Sequence, residues 1–127
     1  MPKKTEVLTE AEQRLMEVLW TAGSGTVSEV LAALETPKPL AFNTVQTLLR
    51  ILEQKGFVRH VEEGRAFRYL PTVARATALR SAVHTVVRRF FDGSPGELAV
   101  NLLENERLSS ADLVRLRRLM AAAERSK

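Results

Sequence analysis

AFNTVQTLLRILEQKG, residues 41–56, is the stretch on which the fold turns. On a helix of 3.6 residues per turn, Val45, Leu48, Leu49 and Leu52 form one apolar stripe at i, i+3, i+4 and i+7. Asn43, Gln46, Thr47 and Arg50 repeat that spacing two residues out of phase, which sets them about 160° away round the axis. One face is made for a core and the other for hydrogen bonding. Alone, such a helix is equally an ordinary amphipathic surface element. Its neighbours separate the two readings.

Upstream, Thr9-Glu10-Ala11-Glu12 has the Thr-x-x-Glu form in which hydroxyl and carboxylate each satisfy an N–H at a helix start. It predicts a helix over 10–22, with Leu15, Met16, Val18, Leu19 and Trp20 apolar, ended by Gly23, Ser24 and Gly25. Thr26-Val27-Ser28-Glu29 repeats the signal and predicts a short helix over 27–35, burying Val27, Val30, Leu31 and Leu34. Pro37 and Pro39 forbid its continuation. The third helix starts near Phe42, with Gly56 as its left-handed C′ residue and Lys55 suited to the negative end of the helix dipole.

Downstream the period changes to that of strands. Phe57–Val61 and Ala66–Leu70 are rich in β-branched and aromatic residues, Glu62, Glu63 and Gly64 make the turn, and Pro71 ends the second strand. Three helices followed by a two-stranded ribbon is the plan of a winged helix-turn-helix domain, in which the third helix enters the DNA major groove and the ribbon lies on the backbone. Phosphate contact is then the expected use of Arg59, Arg65 and Arg68. The alternative is that they are solvated charges beside Glu62 and Glu63.

From Thr72 the pattern is helical. Ala76, Leu79, Val83, Val86, Val87 and Phe90 run along one side of a helix from about Thr72 to Asp92-Gly93. Ser94-Pro95-Gly96-Glu97 opens another helix, carrying Leu98, Val100, Leu102 and Leu103, and Ser109 to Asp112 cap a last one with Leu113, Leu116, Leu119 and Met120. Three narrow-striped helices enclose little core, so their apolar row is expected to meet its copy in a second chain through Leu79, Val83, Val86, Phe90, Leu98, Leu102, Leu116 and Leu119. The other reading is a monomer whose fourth helix folds back on the front domain. The expected class is mainly α with a small β-hairpin: a winged helix-turn-helix domain over 1–72, then an α-helical dimerisation domain over 73–127. Such a dimer sets two recognition helices about one DNA turn or a multiple apart and calls for a palindromic operator.

Composition sets limits. The chain has 127 residues, 45% of them hydrophobic, and no cysteine, which removes disulfides, thiolate metal sites and a cysteine nucleophile. No apolar run is long enough to span a bilayer, and the charged start is unlike a signal peptide, so a cytoplasmic protein without membrane insertion is expected. Net charge is +4 with a pI near 10.0. Lys and Arg against Asp and Glu number 9 to 9 over residues 1–72 and 10 to 6 over 73–127, so bulk charge does not mark the front domain and any DNA-binding argument rests on placement.

The order of parts resembles the bacterial penicillinase and methicillin-resistance repressors, a family with copper-responsive relatives. The resemblance lies in Leu8-Thr9-Glu10-Ala11-Glu12 with Val18-Leu19-Trp20, in Asn43-Thr44-Val45-Gln46-Thr47-Leu48-Leu49, in Leu52 through Gly56, and in Glu63-Gly64-Arg65-Ala66-Phe67-Arg68-Tyr69. It covers the front domain; the back half matches in length and helix pattern more than in letters. It implies a homodimeric repressor of resistance or related stress genes. By position, Asn43, Thr44, Gln46 and Thr47 would face base edges or nearby phosphates, and Thr44 could instead turn to its own backbone. Asn and Gln suit adenine and Thr suits the thymine methyl, while Arg50, Ser28 and the wing arginines suit the DNA backbone.

The resemblance also implies a switch. In the penicillinase branch a signal from a membrane-bound sensor protease leads to cleavage after an Asn and before a Phe in the dimerisation domain. The corresponding pair here is Asn101-Leu102, where the Asn matches and the Phe does not; a Leu buried in a dimer helix explains position 102 as well. Copper-type relatives carry a cysteine-rich metal site that this chain lacks.

Catalysis finds no support. His60 and His84 have no acid, nucleophile or metal-ligand spacing around them, so no enzyme, metal or cofactor is expected. Trp20 and Tyr69 read as packing residues. Two alternatives stay open: a repressor released by a small ligand held between wing and dimer domain, and a winged helix that docks proteins without binding DNA.

Overall fold

The computed structural model describes residues 8–36 and 38–126. Its first helix, α1 (Glu10–Ala22), begins with the expected reciprocal cap: the Glu12 N–H donates to Thr9 Oγ1 at 3.2 Å and the Thr9 N–H donates to the Glu12 carboxylate at 2.8 Å. Thr26 and Glu29 repeat the box at the start of α2 (Val27–Ala33). That helix stops two residues short of expectation, with Leu34 extended as its C-cap. Pro37, expected to terminate it, lies outside the described residues.

Helix α3 (Phe42–Gln54) keeps the predicted division of faces, with Val45, Leu49 and Leu52 buried and Leu48 partly so. Gly56 at φ +87° follows it, its N–H bonded to the Glu53 carbonyl at 3.0 Å, while the Phe57 N–H reaches the Leu52 carbonyl at 2.9 Å. This pair of bonds is the Schellman arrangement, which satisfies carbonyls a helix end otherwise leaves open.

The sheet corrects the sequence reading. Its order is β1-β3-β2, three strands rather than a two-stranded ribbon, because Gly25–Thr26 (β1) pairs antiparallel with Tyr69 and Arg68 of β3 (Ala66–Pro71). The outer wing strand β2 (Val58–Glu63) pairs with β3 from Val58↔Pro71 to Glu63↔Ala66. Glu62 and Glu63 therefore belong to the strand, and the loop is Gly64-Arg65. Gly64 alone of the two has positive φ, +61°, as a two-residue type II′ turn requires.

One core joins these elements. Leu15, Met16 and Leu19 of α1 meet Val27 and Val30 of α2, the α3 stripe, and Phe57, Val58, Tyr69 and Val73 from the sheet and its flanks. Glu12 is buried at their edge, 2% exposed, and accepts from Lys55 Nζ at 2.8 Å. Burial raises its pKa, but that is outweighed by the Lys55 bond and the Thr9 cap, so its carboxyl titrates below the ordinary range. Lys55 thus serves a buried carboxylate rather than only the helix dipole.

Helix α4 runs from Arg75 to Phe90, three residues later than expected. Thr72 and Val73 are tied to the front domain instead: Val73 is buried in its core, the exposed Thr72 donates its N–H to the Phe57 carbonyl at 2.9 Å, and Trp20 Nε1 donates to the Val73 carbonyl at 2.8 Å. Helices α5 (Pro95–Asn105) and α6 (Ser110–Arg125) are capped by Ser94 and Ser109 as predicted. The chain divides into two compact units, Met1–Thr85 and Val86–Lys127.

Candidate nucleic-acid interface

The outward face of α3 is where the expected base readers fall. Asn43, Thr44, Thr47 and Arg50 are exposed and Gln46 is half-buried. No side chain caps the start of α3, so Thr44 does not serve as its N-cap. Phe42, Gln46 and Arg50, at i, i+4 and i+8, line one groove with Ser28 of α2 and with Arg65 and Phe67 of the hairpin. The fold thus brings four expected DNA contacts, Ser28, Gln46, Arg50 and Arg65, into a single cleft between helix and wing. Asn43, Thr44 and Thr47 stand outside it on the same helix, and exposed Arg59 lies on β2.

Arg68 occupies a different position from the other arginines. Its Nε and Nη2 each bond Glu63 at 2.9 Å, its Nη1 and Nη2 bond Glu29 at 2.9 and 3.2 Å, and Nη1 also reaches Ser24 Oγ at 3.1 Å. This guanidinium ties the wing to the first turn of α2. It holds both carboxyls below the usual carboxylate range, helped at Glu29 by the Thr26 N–H, and its own pKa is raised in return.

A second tie fixes β2 to α3. His60 Nδ1 lies 2.7 Å from Glu53 Oε2, the His60 N–H donates to the same oxygen at 3.2 Å, and the imidazole stacks on Phe67 with centroids 4.1 Å apart. Tyr69 is buried under the sheet and Trp20 packs against the core, so both are packing residues as read. Among the described residues no group of three His, Asp or Glu could hold a metal, and no helix is long and apolar enough to cross a membrane.

Sequence reasoning missed Phe42, Phe67 and the carboxylate partners of Arg68. The i, i+4 step from Phe42 to Gln46 was a usable signal; the Glu29–Arg68 contact, 39 residues apart, left none.

The residues expected to dimerise are largely uncovered in the single chain. Leu79, Val83, Val86 and Phe90 on α4 are 54%, 44%, 40% and 76% exposed, as are much of Leu102, Leu116 and Leu119, while Leu98 is half-buried. Within the second unit, Ala99, Leu102 and Leu103 of α5 and Leu116, Leu119 and Met120 of α6 border an open apolar groove. Asn101 and Leu102 sit in mid-α5, both exposed, and the Asn101 carbonyl accepts from Asn105 Nδ2 at 3.0 Å.

Three helices, a wing paired with a short third strand, and a cleft lined by Gln46, Arg50 and Arg65 define a winged-helix DNA-binding domain followed by helices. The family model of the penicillinase repressor matches residues 8–122, and the chain belongs to that family of non-enzymatic transcriptional repressors. It is 30% identical to the penicillinase repressor of Bacillus licheniformis over 93% of this chain and 92% of that protein. It is 22% identical to the methicillin resistance regulatory protein MecI of Staphylococcus aureus over 94% of this chain and 98% of that one. Among solved structures, the DNA-binding domain of the repressor BlaI superposes with TM-score 0.52 at 32% identity, covering 61% of this chain and 93% of that domain.

Proposed function

We propose that this chain is a cytoplasmic homodimeric repressor that binds a palindromic operator in double-stranded DNA and controls antibiotic-resistance or related stress genes. Asn43, Thr44, Gln46 and Thr47 read base edges. Ser28, Arg50, Arg59 and Arg65 hold phosphates and set the register, and Arg68 acts on the backbone contact by fixing the wing that carries Arg59 and Arg65. The observation that carries this reading is the cleft in which Ser28, Gln46, Arg50 and Arg65 come together. An amide sharing one cleft with two cations is the combination expected where one contact specifies and its neighbours position.

Release is proposed to follow cleavage of the Asn101–Leu102 bond after a signal from a membrane-bound sensor protease. A protease binds extended chain, so the bond becomes a substrate only when α5 opens locally. A ligand-released repressor is the second reading. It is favoured by a pocket of about 220 Å³ bordered by Trp20, Phe57, Ala78 and Leu79 with Gln13 and Arg75 at its edge. That volume is below the roughly 300–1,000 Å³ of most small-molecule sites, which ranks this reading lower.

The test is a mobility shift with dyad-containing DNA from the gene's own upstream region, over a range of salt. Specific retention with a steep loss on raising salt supports the proposal. Equal affinity for random DNA sinks it and favours a protein-docking role. Mass spectrometry of the chain from induced cells then separates the switches: a break after Asn101 supports proteolysis, and an intact chain that has left the operator points to a ligand.

A further inference from the structure

Phe42 is the first residue of α3 and leaves 44% of its surface exposed on a face whose other outward residues are polar. It is absent from the core cluster and from the apolar residues packed against it, which include its neighbour Leu40. Its side chain borders the cleft one helical turn before Gln46 and two before Arg50, and Arg65 lines the same cleft. A helix that enters the major groove places its N-terminal residues against base edges. In that groove the only apolar feature distinguishing one base pair from another is the thymine methyl, for which Phe is a suitable partner.

We infer that Phe42 is a specificity-determining residue that reads a thymine C5-methyl group in the operator by van der Waals contact. The inference rests on the DNA-reading role proposed above. Four residues of helix advance about 6 Å, so the thymine stands roughly two base-pair steps from the Gln46 contact. The flanking cations Arg50 and Arg65 fit a polyanion as occupant, not an apolar peptide.

The experiment uses the full-length chain and a duplex enriched by it from a random library. Each thymine is replaced in turn by uracil, which deletes the methyl and keeps base pairing intact. Wild-type protein is expected to lose roughly three- to fivefold in affinity at one position per half-site. Phe42→Ala should bind the thymine duplex more weakly and no longer distinguish thymine from uracil there, while Phe42→Leu, which keeps an apolar contact, should retain part of the discrimination. Thermal midpoints of the variants establish that they fold. A wild-type protein indifferent to every replacement, or a Phe42→Ala protein with unchanged discrimination, overturns the inference while leaving DNA reading intact. Failure to enrich any duplex removes the DNA-reading role itself.

Discussion

Arg68 and Glu29 form a two-point contact between the wing and the second helix, with Nη1 2.9 Å from Oε1 and Nη2 3.2 Å from Oε2. The same Glu29 carboxylate accepts the Thr26 N–H, so the helix cap, the edge strand β1 and the wing share one anchor. Arg68→Ala is therefore expected to loosen the hairpin: hydrogen exchange of β2 and β3 amides should quicken, while amides of α1 keep their protection. Glu29→Gln should act in the same direction more weakly, since the Arg68 bonds to Glu63 and Ser24 remain, and Glu29→Gln in an Arg68→Ala background should add little. If Arg68→Ala weakens DNA binding with wing exchange unchanged, Arg68 is a direct phosphate contact and the anchoring role fails.

The buried pair Glu12 and Lys55 gives a stability prediction of known sign. The folded-state pKa of Glu12 lies below its ordinary value, so its contribution is present above about pH 4.5 and is lost as pH falls through the depressed value. Lys55→Met should destabilise by about 2–3 kcal/mol near neutral pH, toward the low end for breaking a buried pair because Lys55 is partly exposed. It should also shrink the acid loss, since the folded-state pKa of Glu12 then rises toward or above its ordinary value and its protonation no longer costs stability. Thermal midpoints from pH 3 to 7 check both, and an unchanged acid limb in Lys55→Met would remove the pair from the account.

Gln46 and Arg65 border one cleft but are expected to fail differently when removed. Gln46→Ala should cost about 1–3 kcal/mol on the selected duplex and little on random DNA, because a bidentate amide discriminates between bases. Arg65→Ala should weaken both by similar factors and lower the steepness of the salt dependence, the mark of a lost phosphate contact. Titrations of each variant on both duplexes at several salt concentrations decide; the reverse pattern would exchange the two roles.

What the chain discloses in its letters is local. Thr9 with Glu12 and Thr26 with Glu29 appear as spacings of three, and Gly56 marks the end of α3 because its left-handed backbone penalises other residues. Strand β1 was not legible, since two residues have no period and exist as a strand only because β3 passes beside them. Thr72 and Val73 look like the start of a helix yet are tied to the front domain, where bonds to Phe57 and Trp20 and the burial of Val73 outweigh their place in the helical pattern. At the site, the polar face of α3 could be predicted. The occupied state of Arg68 could not, because in sequence it is indistinguishable from the exposed Arg59 and Arg65.

The uncovered apolar residues of the helical region carry the last prediction. Leu79, Val83, Val86 and Phe90 recur at i, i+4, i+7 and i+11 along α4, and Leu119 and Met120 of α6 are each more than half exposed. So many large apolar side chains left in water exceed what a stable monomer ordinarily shows. Covering one Phe is worth about 1.5–3 kcal/mol, and a two-fold interface covers each residue twice. Phe90→Glu should therefore raise the dimer dissociation constant by at least about a hundredfold. Leu119→Asp should act in the same direction, and both variants should keep their helical circular dichroism. Sedimentation equilibrium reads the mass, and a mobility shift should show binding to the full dyad collapsing toward that of a single half-site. A wild-type chain that sediments as a monomer, or two variants that both remain dimeric, would place the interface elsewhere and leave this apolar row without a partner.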